Sequence, residues 1–522
     1  MDTNTGHRPQ PVASLVDFVA AHARSAPDAG AVEYGDRTWT WAQWHQRIRQ
    51  LAGALRAVGL RPGDRIAFLD KVNPACVEVL FAAASIGAVT ASVNWRLSGD
   101  ELAYILDDSA PKMLVVGGEL APATRAILPR YPALRTLVVG GEHDTYEQFI
   151  AAGPATAADP AVDRADDTLL IYSSGTTGRP KGVLISQAAL IKHGVDLAGH
   201  WPFAEGDINF LIAPLFHVAG LSDAIWGIRA GVLSIFSRET TAQTLLAAIA
   251  AGATHAFVAV PVVGALVAAD DATRDAVGRL KYLGYGASPM PVPLLERAIQ
   301  AWPQVNLVQA YGQTELSGAA ATLGPDDHRD RAHPERLGSV GKVVTGVEVQ
   351  VTDLGHGTPL GPGEQGELWF RSVYQMSGYL NLQEATAATI TPEGWLRTGD
   401  IGHLDHDGYV YIDDRIRDMI ITGGENVYSP EVERVLYQHP AIVEAAVIGV
   451  PDELWGESVR AVAVVSGPVD PEDIIAFCRT HLAAYKCPKG VDFTTALPRN
   501  HTGKVLKREL RELFSAHQDK AI

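Results

Sequence analysis

Short runs rich in Val, Ile and Ala alternate with amphipathic stretches along most of this chain, and that rhythm limits the folds open to it. In "WAQWHQRIRQLAGALRAVGL" the apolar positions recur at three- and four-residue spacing, which predicts a helix. Gly59 follows as a C-terminal cap, and "RPGDRIAFL" then reads as turn plus strand. The segments "PACVEVLFAAASIGAVTASVN", "AYILDDSAPKMLVVGG" and "LLERAIQAWPQVNLVQAYG" repeat the order of helix, then strand. Such alternation predicts α/β layers with largely parallel sheets. No repeat of 20 to 50 residues and no low-complexity tract interrupts it.

The texture changes in the last third. "GVEVQVTDLGHGTPLGPGEQGELWFRS" reads as strand, Gly/Pro turn, strand, a compact β region. "GYVYIDDRIRDMIITGGENVYSPEVERVLYQHP" adds strands and a helix opened by Ser429 as N-cap with Pro430 at the first position. The charged junction "DDRIRD" marks the expected boundary, giving residues 1–414 as a large α/β domain and 415–522 as a small α+β domain.

With 522 residues there is enough chain for more than one core. The net charge of −17 argues against a nucleic-acid or anionic-membrane surface, both of which need basic side chains to neutralise phosphate. Cys76, Cys478 and Cys487 follow no metal-ligand spacing and fit reduced thiols in a cytoplasmic protein. The N-terminus shows no signal-peptide pattern. Residues 246–269 carry no Asp, Glu, Lys or Arg and imitate a membrane span. Gly252, His255 and Pro261 break the run, so "ATHAFVAVP" reads as a buried strand between two helices.

"YSSGTTGRPKG", residues 172–182, cannot contribute a core. A strand, "DTLLIY", precedes it, and the helical pattern "QAALIKHGVDLAG" follows. Gly, Ser and Thr at such a junction can turn several N–H groups and hydroxyls toward one anion, with Lys181 and Arg179 adding charge. Gly175, Gly178 and Gly182 permit close backbone approach. The Walker A pattern fails, because Pro180 stands where its second Gly belongs and Gly182 where its Ser or Thr belongs.

The whole string "YSSGTTGRPKGV" resembles instead the signature loop of the adenylate-forming superfamily, which includes acyl-CoA synthetases, peptide-synthetase adenylation domains and beetle luciferases. Further motifs follow in that family's order: "APLFHVAG", "YGASPM", "QAYGQTE", "GWLRTGD", the hinge-like "DDRIRDMIITGGENVYSPEVE" and "PRNHTGKVLK". The resemblance implies a large N-terminal domain and a small mobile C-terminal one. It also implies a two-step reaction, in which a carboxylate attacks the α-phosphorus of ATP and a nucleophile then displaces AMP.

Roles follow by resemblance. Lys504 bridges the substrate carboxylate and the α-phosphate. Glu315 holds Mg²⁺, as a hard oxygen donor suits. Ser173, Ser174, Gly175, Thr176, Thr177, Gly178, Lys181 and Thr314 hold phosphate, in a flap that closes during adenylation. Asp400 and Arg415 take the ribose. Tyr311 stacks on adenine, beside Gly312 and the backbone of Gly286, Ala287 and Ser288. His217 borders the acyl pocket near the carboxylate, and Trp226, Val260, Tyr285 and Gly318 line it, which suits an apolar or aromatic acid. Asp223 is either a polar element of that pocket or solvent-facing. Gly423, Gly424 and Trp455 flank the acceptor, with small-domain core as the other reading of Trp455. Arg417 is the hinge, where many relatives carry Asp or Lys.

The expected function is an acyl-CoA ligase using ATP, Mg²⁺ and coenzyme A on a small-molecule carboxylic acid. The expected location is the cytoplasm, with no nucleic-acid partner and no integral membrane segment; a homodimer is admitted. The alternatives are an amide bond synthetase, in which an amine replaces the thiol, and an acyl-AMP ligase serving a separate carrier protein. Lys504, Glu315, Asp400 and Arg415 argue against a non-catalytic nucleotide binder.

Overall fold

The computed structural model describes residues 14–173, 179–415, 418–422, 425–452, 455–499 and 504–515. The chain forms two compact units, the first made of residues up to Phe257, Gly312–Ala319 and Ser372–Ala388, the second of the remainder.

In the first unit a seven-stranded sheet runs in the order Gly378–Tyr379, Lys181–Ser186, Asp167–Ser173, Val89–Ser92, Arg65–Leu69, Met113–Gly117, Arg135–Val139. From Asp167–Ser173 onward its neighbours pair in parallel, as the alternating pattern predicts. Helix Trp41–Ala57 begins at a capping box in which Thr40 and Gln43 satisfy each other's backbone N–H groups. Helix Ala75–Ala84 is buried at every position, and its sequence is apolar apart from Glu78, whose carboxylate accepts from Arg47, Trp44 and Tyr146. A second group of strands pairs Gly30–Tyr34, Leu233–Phe236 and Ile208–Leu211 in parallel, and His255 and Ala256 add to Ile208–Leu211. The charge-free stretch resolves into helix Ala242–Ala250, strand His255–Ala259 and helix Val260–Val267, the last with Pro261 in its first turn. No helix among the described residues is long and apolar enough to cross a membrane.

Sequence and structure part at one point here. Between the phosphate-loop motif and helix Gln187–Asp196 runs the strand Lys181–Ser186, antiparallel to Asp167–Ser173. The described ends of the motif therefore lie on paired antiparallel strands, and a strand stands between the motif and the helix. "KGVLIS" buries alternate residues against its partner, and Ser186 then caps the helix by accepting from the Ala189 N–H.

In the second unit Tyr282–Gly286 pairs in parallel with Asn306–Gln313. The expected β region is a four-stranded sheet, Val347–Thr352, Gly366–Ser372, Leu396–Leu404 and Val410–Arg415, whose last two pairings are antiparallel. The C-terminal segment is α+β. Strand Ile442–Asp452 pairs antiparallel with Gly456–Val465, which also carries Ile420–Thr422 and Gly490–Phe493. Alternate residues of Ile442–Asp452 serve two cores. Ala445 and Val447 pack with Val432, Leu436, Ile474 and Cys478, while Ala446, Ile448 and Val450 pack with Leu510. Helix Lys507–Ser515 thus covers one face of that strand, and helices Ser429–Leu436 and Pro471–Arg479 cover the other.

Ser429 is not the N-cap. That position belongs to Tyr428, which makes no side-chain cap, and the Ser429 hydroxyl is engaged elsewhere.

Candidate active site

In the first unit the chain just before strand Lys181–Ser186 is pinned from below. The Tyr104 hydroxyl donates to the Pro180 carbonyl at 3.0 Å, and the Arg179 guanidinium lies 5.1 Å from the Tyr104 ring. The Lys181 ammonium sits 4.7 Å from the centre of the Tyr379 ring, and the Tyr379 hydroxyl donates to Glu315 Oε1 at 2.9 Å. Lys181 and Glu315, remote in sequence, are thus joined through one phenol. Glu315 lies in the short turn Thr314–Leu316, and its carbonyl accepts from the Met376 N–H at 2.8 Å. Ser173 is the register partner of Lys181. Ser174, Gly175, Thr176, Thr177 and Gly178 lie outside the described residues, as do Arg417, Gly423 and Gly424.

Glu315 is one half-buried carboxylate whose Oε1 accepts from Tyr379. No cluster of three or more His, Cys, Asp or Glu that could cage a metal occurs among the described residues. A single carboxylate is what Mg²⁺ takes from protein when phosphate oxygens and waters complete its shell. The residues present therefore fit the ion.

His217 is the N-cap of helix Val218–Ala230, half-buried, with its ring 4.4 Å from that of Phe216. Trp226, on the same helix, is buried, 5.8 Å from the His193 ring and 6.4 Å from Trp201. His193 donates from Nε2 to the Ala319 carbonyl at 3.2 Å, and burial lowers its pKa to about 4, so the ring is neutral. Gly318 has φ +122° and lies against His193 and Ser222, where a Cβ would come within 3.1 and 3.0 Å of them. Asp223 does not face solvent. It is fully buried, and its Oδ1 accepts from Asn209 Nδ2 at 3.2 Å.

In the second unit three residues meet as the motifs imply. The Tyr311 hydroxyl donates to Asp400 Oδ2 at 2.7 Å, and Arg415 Nε lies 3.0 Å from Asp400 Oδ1. Asp400 and Arg415 are register partners on adjacent strands, which explains the fit. Burial, with Asp400 beside it, pushes the Tyr311 phenol far up, so it stays a donor. An ionised carboxylate has about four acceptor sites, so Asp400 keeps capacity for hydroxyls. Strand Tyr282–Gly286 ends in a kink: Ala287, exposed, has φ +66°, a costly conformation outside glycine that turns the backbone at Gly286–Ser288 away from the sheet.

Tyr285 is fully buried, and its hydroxyl donates to His328 Nε2 at 2.8 Å. His328 Nδ1–H in turn donates to the Gly324 carbonyl, and burial lowers this histidine to about 4 as well. Val260 is buried at the start of its helix. Lys504 is half-buried, next to the bridge between Arg499 and Val505. Trp455 is 45% exposed, which removes the core reading, and the Lys489 ammonium lies 4.5 Å from its ring centre.

Comparison with known proteins places the chain in a family. Residues 19–380 match the AMP-binding enzyme family, and residues 431–504 match the AMP-binding enzyme C-terminal domain. The chain belongs to the AMP-binding enzymes. It is an ATP-dependent, AMP-forming carboxylate ligase. It is 36% identical over 521 residues to a fatty acid–[acyl-carrier-protein] ligase of Streptomyces coeruleorubidus, covering 97% of this chain and 98% of that protein. It is 37% identical over 510 residues to a feruloyl-CoA synthase of an Amycolatopsis species, covering 96% and 99%. An amide bond synthetase structure from Marinactinospora thermotolerans superimposes with a TM-score of 0.86 at 29% identity, over 96% and 100% of the two chains.

Tyr379 and Lys489 escape the sequence reading. Tyr379 stands in "SGYL" with only a preceding glycine to mark it, and Lys489 is one of several lysines near the C-terminus.

Proposed function

We propose that the enzyme adenylates an apolar or aromatic carboxylic acid and passes the acyl group to coenzyme A. The similar proteins carry three different acceptors by name, so the acceptor has to be argued from side chains. The observation that carries the proposal is the exposed Trp455 with the Lys489 ammonium beside it. A free indole face and a cation suit a nucleotide-bearing thiol, since bases stack on aromatic rings and ammonium groups take phosphate. A simple amine needs neither.

In the first step the acid's carboxylate oxygen attacks the α-phosphorus, and pyrophosphate leaves. Two anions approach, so fixed positive charge lowers the barrier most. Lys504 supplies it. Lys181, Ser173 and Thr314 hold phosphate oxygens, and Asp400, Arg415 and Tyr311 fix the nucleoside. Glu315 holds Mg²⁺, which supplies charge neutralisation on the phosphates when bound. His217 borders the carboxylate, and the aromatic surroundings of Trp226 support an apolar or aryl acid. Residues 1–414 carry these groups apart from Arg415 and Lys504, which fall in 415–522. The three cysteines form no disulfide, which accords with a cytoplasmic enzyme, acting as a monomer or homodimer.

The test separates the half-reactions. Lys504→Ala is expected to lower acid-dependent ATP–pyrophosphate exchange by about 10²-fold or more while sparing thioester formation from supplied acyl-adenylate. Run over a panel of acids with coenzyme A or amines added, the same assay identifies the acceptor. Exchange without consumption of coenzyme A would favour amide ligation.

A further inference from the structure

Lys507 is buried among polar groups that the adenylation chemistry leaves unused. Its side chain is 14% exposed, and its ammonium lies 2.8 Å from Glu433 Oε1. The same ammonium donates to the Ser429 hydroxyl. Ser429, fully buried, sends both its hydroxyl (2.9 Å) and its backbone N–H (2.7 Å) to Asp414 Oδ2. Asp414 is 4% exposed, and its other oxygen accepts from the backbone N–H of Arg415 at 2.7 Å. Glu433 also accepts from the Val447 N–H at 2.8 Å. One turn along the helix, Arg511 pairs with Asp418 at 3.0 Å.

This chain of contacts joins places that topology separates. Lys507 opens the helix on one face of strand Ile442–Asp452, whereas Ser429 and Glu433 belong to the helix on the other face. Asp414 is the penultimate residue of the strand that ends at Arg415. Lys504 lies three residues before Lys507, beside the Arg499–Val505 bridge.

Stability alone does not explain buried charge here. Taking an ammonium and two carboxylates out of water is costly, and apolar replacements often serve as well. Apolar packing is already available on both faces of the strand. What an ion cluster adds is register, because Leu or Val packing tolerates sliding and an ammonium bonded to both Glu433 and Ser429 does not.

We infer that Lys507 is a positioning residue: its bonds to Glu433 and Ser429, and through Ser429 to Asp414, fix the turn carrying Lys504 in register with the strand end carrying Arg415. The inference rests on the reading of Lys504 as the cation of adenylation. A misplacement of about 1 Å can cost about 100-fold in rate, so the register matters to the step that needs Lys504. The Tyr311–Asp400 hydrogen bond joins two other strands and meets the Lys507 cluster through Arg415, the register partner of Asp400.

The experiment compares Lys507→Met, Lys507→Arg and Glu433→Gln in the full chain. Lys507→Met is expected to lower the kcat of pyrophosphate exchange about 10- to 100-fold, with KM for ATP and thioester formation from supplied acyl-adenylate changed by less than about threefold. Lys507→Arg keeps a donor and charge and restores most of the rate. Glu433→Gln keeps shape, removes charge and shows the same split to a smaller extent. Equal loss in both half-reactions, a rise confined to KM for ATP, or full exchange in Lys507→Met each overturns the inference. Should Lys507→Met fail to fold, Glu433→Gln decides by the same ratio of half-reactions. If Lys504→Ala itself retains exchange, the reading of Lys504 falls. If Lys504→Ala abolishes exchange and the Lys507 and Glu433 variants leave it intact, the inference alone falls.

Discussion

Asp223 brings a carboxyl into the packing beneath helix Val218–Ala230, where it is 0% exposed. Its Oδ1 meets Asn209, while Oδ2 has no hydrogen-bond partner among the described residues. Desolvation is the first cause of its shift and pushes its pKa up to about 7; the Asn209 amide opposes this only in part. The sign follows. Between about pH 4 and 7 the folded chain keeps a proton that the unfolded chain releases, so this stability is present below pH 4 and lost as pH rises through 7. At 1.36 kcal/mol per pKa unit the cost near pH 8 is about 4 kcal/mol as an upper figure. Asp223→Asn removes the charge and keeps the shape. It is expected to raise the urea midpoint at pH 8, with the gain shrinking toward zero near pH 4. A gain independent of pH would sink this account. The sequence left Asp223 open between pocket and solvent because its helix is buried over Gly220–Ile228 and offers no polar face to place it on.

At the scale of elements, the turn after strand Asn306–Gln313 shows how tightly backbone alone can hold the Glu315 carboxylate. A Cβ on Gly312 would stand 1.7 Å from the Gly318 carbonyl oxygen, and Ser317 and Gly318 both adopt positive φ, +57° and +122°. The two strand ends therefore close around Thr314 and Glu315 only if position 312 has no side chain. Gly312→Ala must part them, at a cost of about 1–3 kcal/mol. It is expected to lower exchange and to raise the Mg²⁺ concentration for half-maximal rate, since Glu315 shifts against Tyr379. An unchanged Mg²⁺ titration beside a lowered melting temperature would confine the glycine to stability. Elements with a period were legible: the charge-free stretch resolved as helix, strand, helix, and Trp41–Ala57 as one helix. The strand Lys181–Ser186 was hidden because six residues beside a Gly-rich loop carry too short an alternation. The site was legible through motifs, which placed Tyr311, Asp400 and Arg415 together across 89 and 15 residues of chain. Lys507 to Ser429, a contact over 78 residues, leaves no periodic trace, and Ser429 beside Pro430 looked like a cap.

Across the whole molecule, histidines impose a pH response on both units. Burial is the first cause lowering His22, His45, His193, His200 and His328, the third and fifth to about 4; His403 is raised, by its bond to Asp413. A lowered folded pKa means that between about pH 4 and 6.5 the unfolded chain binds protons the folded chain refuses. Stability from these groups is complete above pH 6.5 and lost as pH falls toward 4. Asp223 works in the opposite direction over the same window, as do Asp167 and Asp414, raised mainly by desolvation. Of these, the groups shifted furthest are His193 and His328, to about 4, and Asp223, to about 7, and the two rings outweigh the carboxyl by about one proton, or about 1.4 kcal/mol per pH unit. The net charge of −17 adds self-repulsion that acid relieves, and salt screens this long-range part while leaving buried groups nearly untouched. In about 0.3 M salt the urea midpoint is therefore expected to fall as pH drops from about 6.5 to 5, before ordinary carboxylates titrate. Asp223→Asn removes the opposing proton, so the fall in that variant should be steeper by about one proton. A midpoint that is flat or rising on acidification, or an identical slope in the two proteins, would show that these buried rings and this carboxyl are not neutral in the folded enzyme.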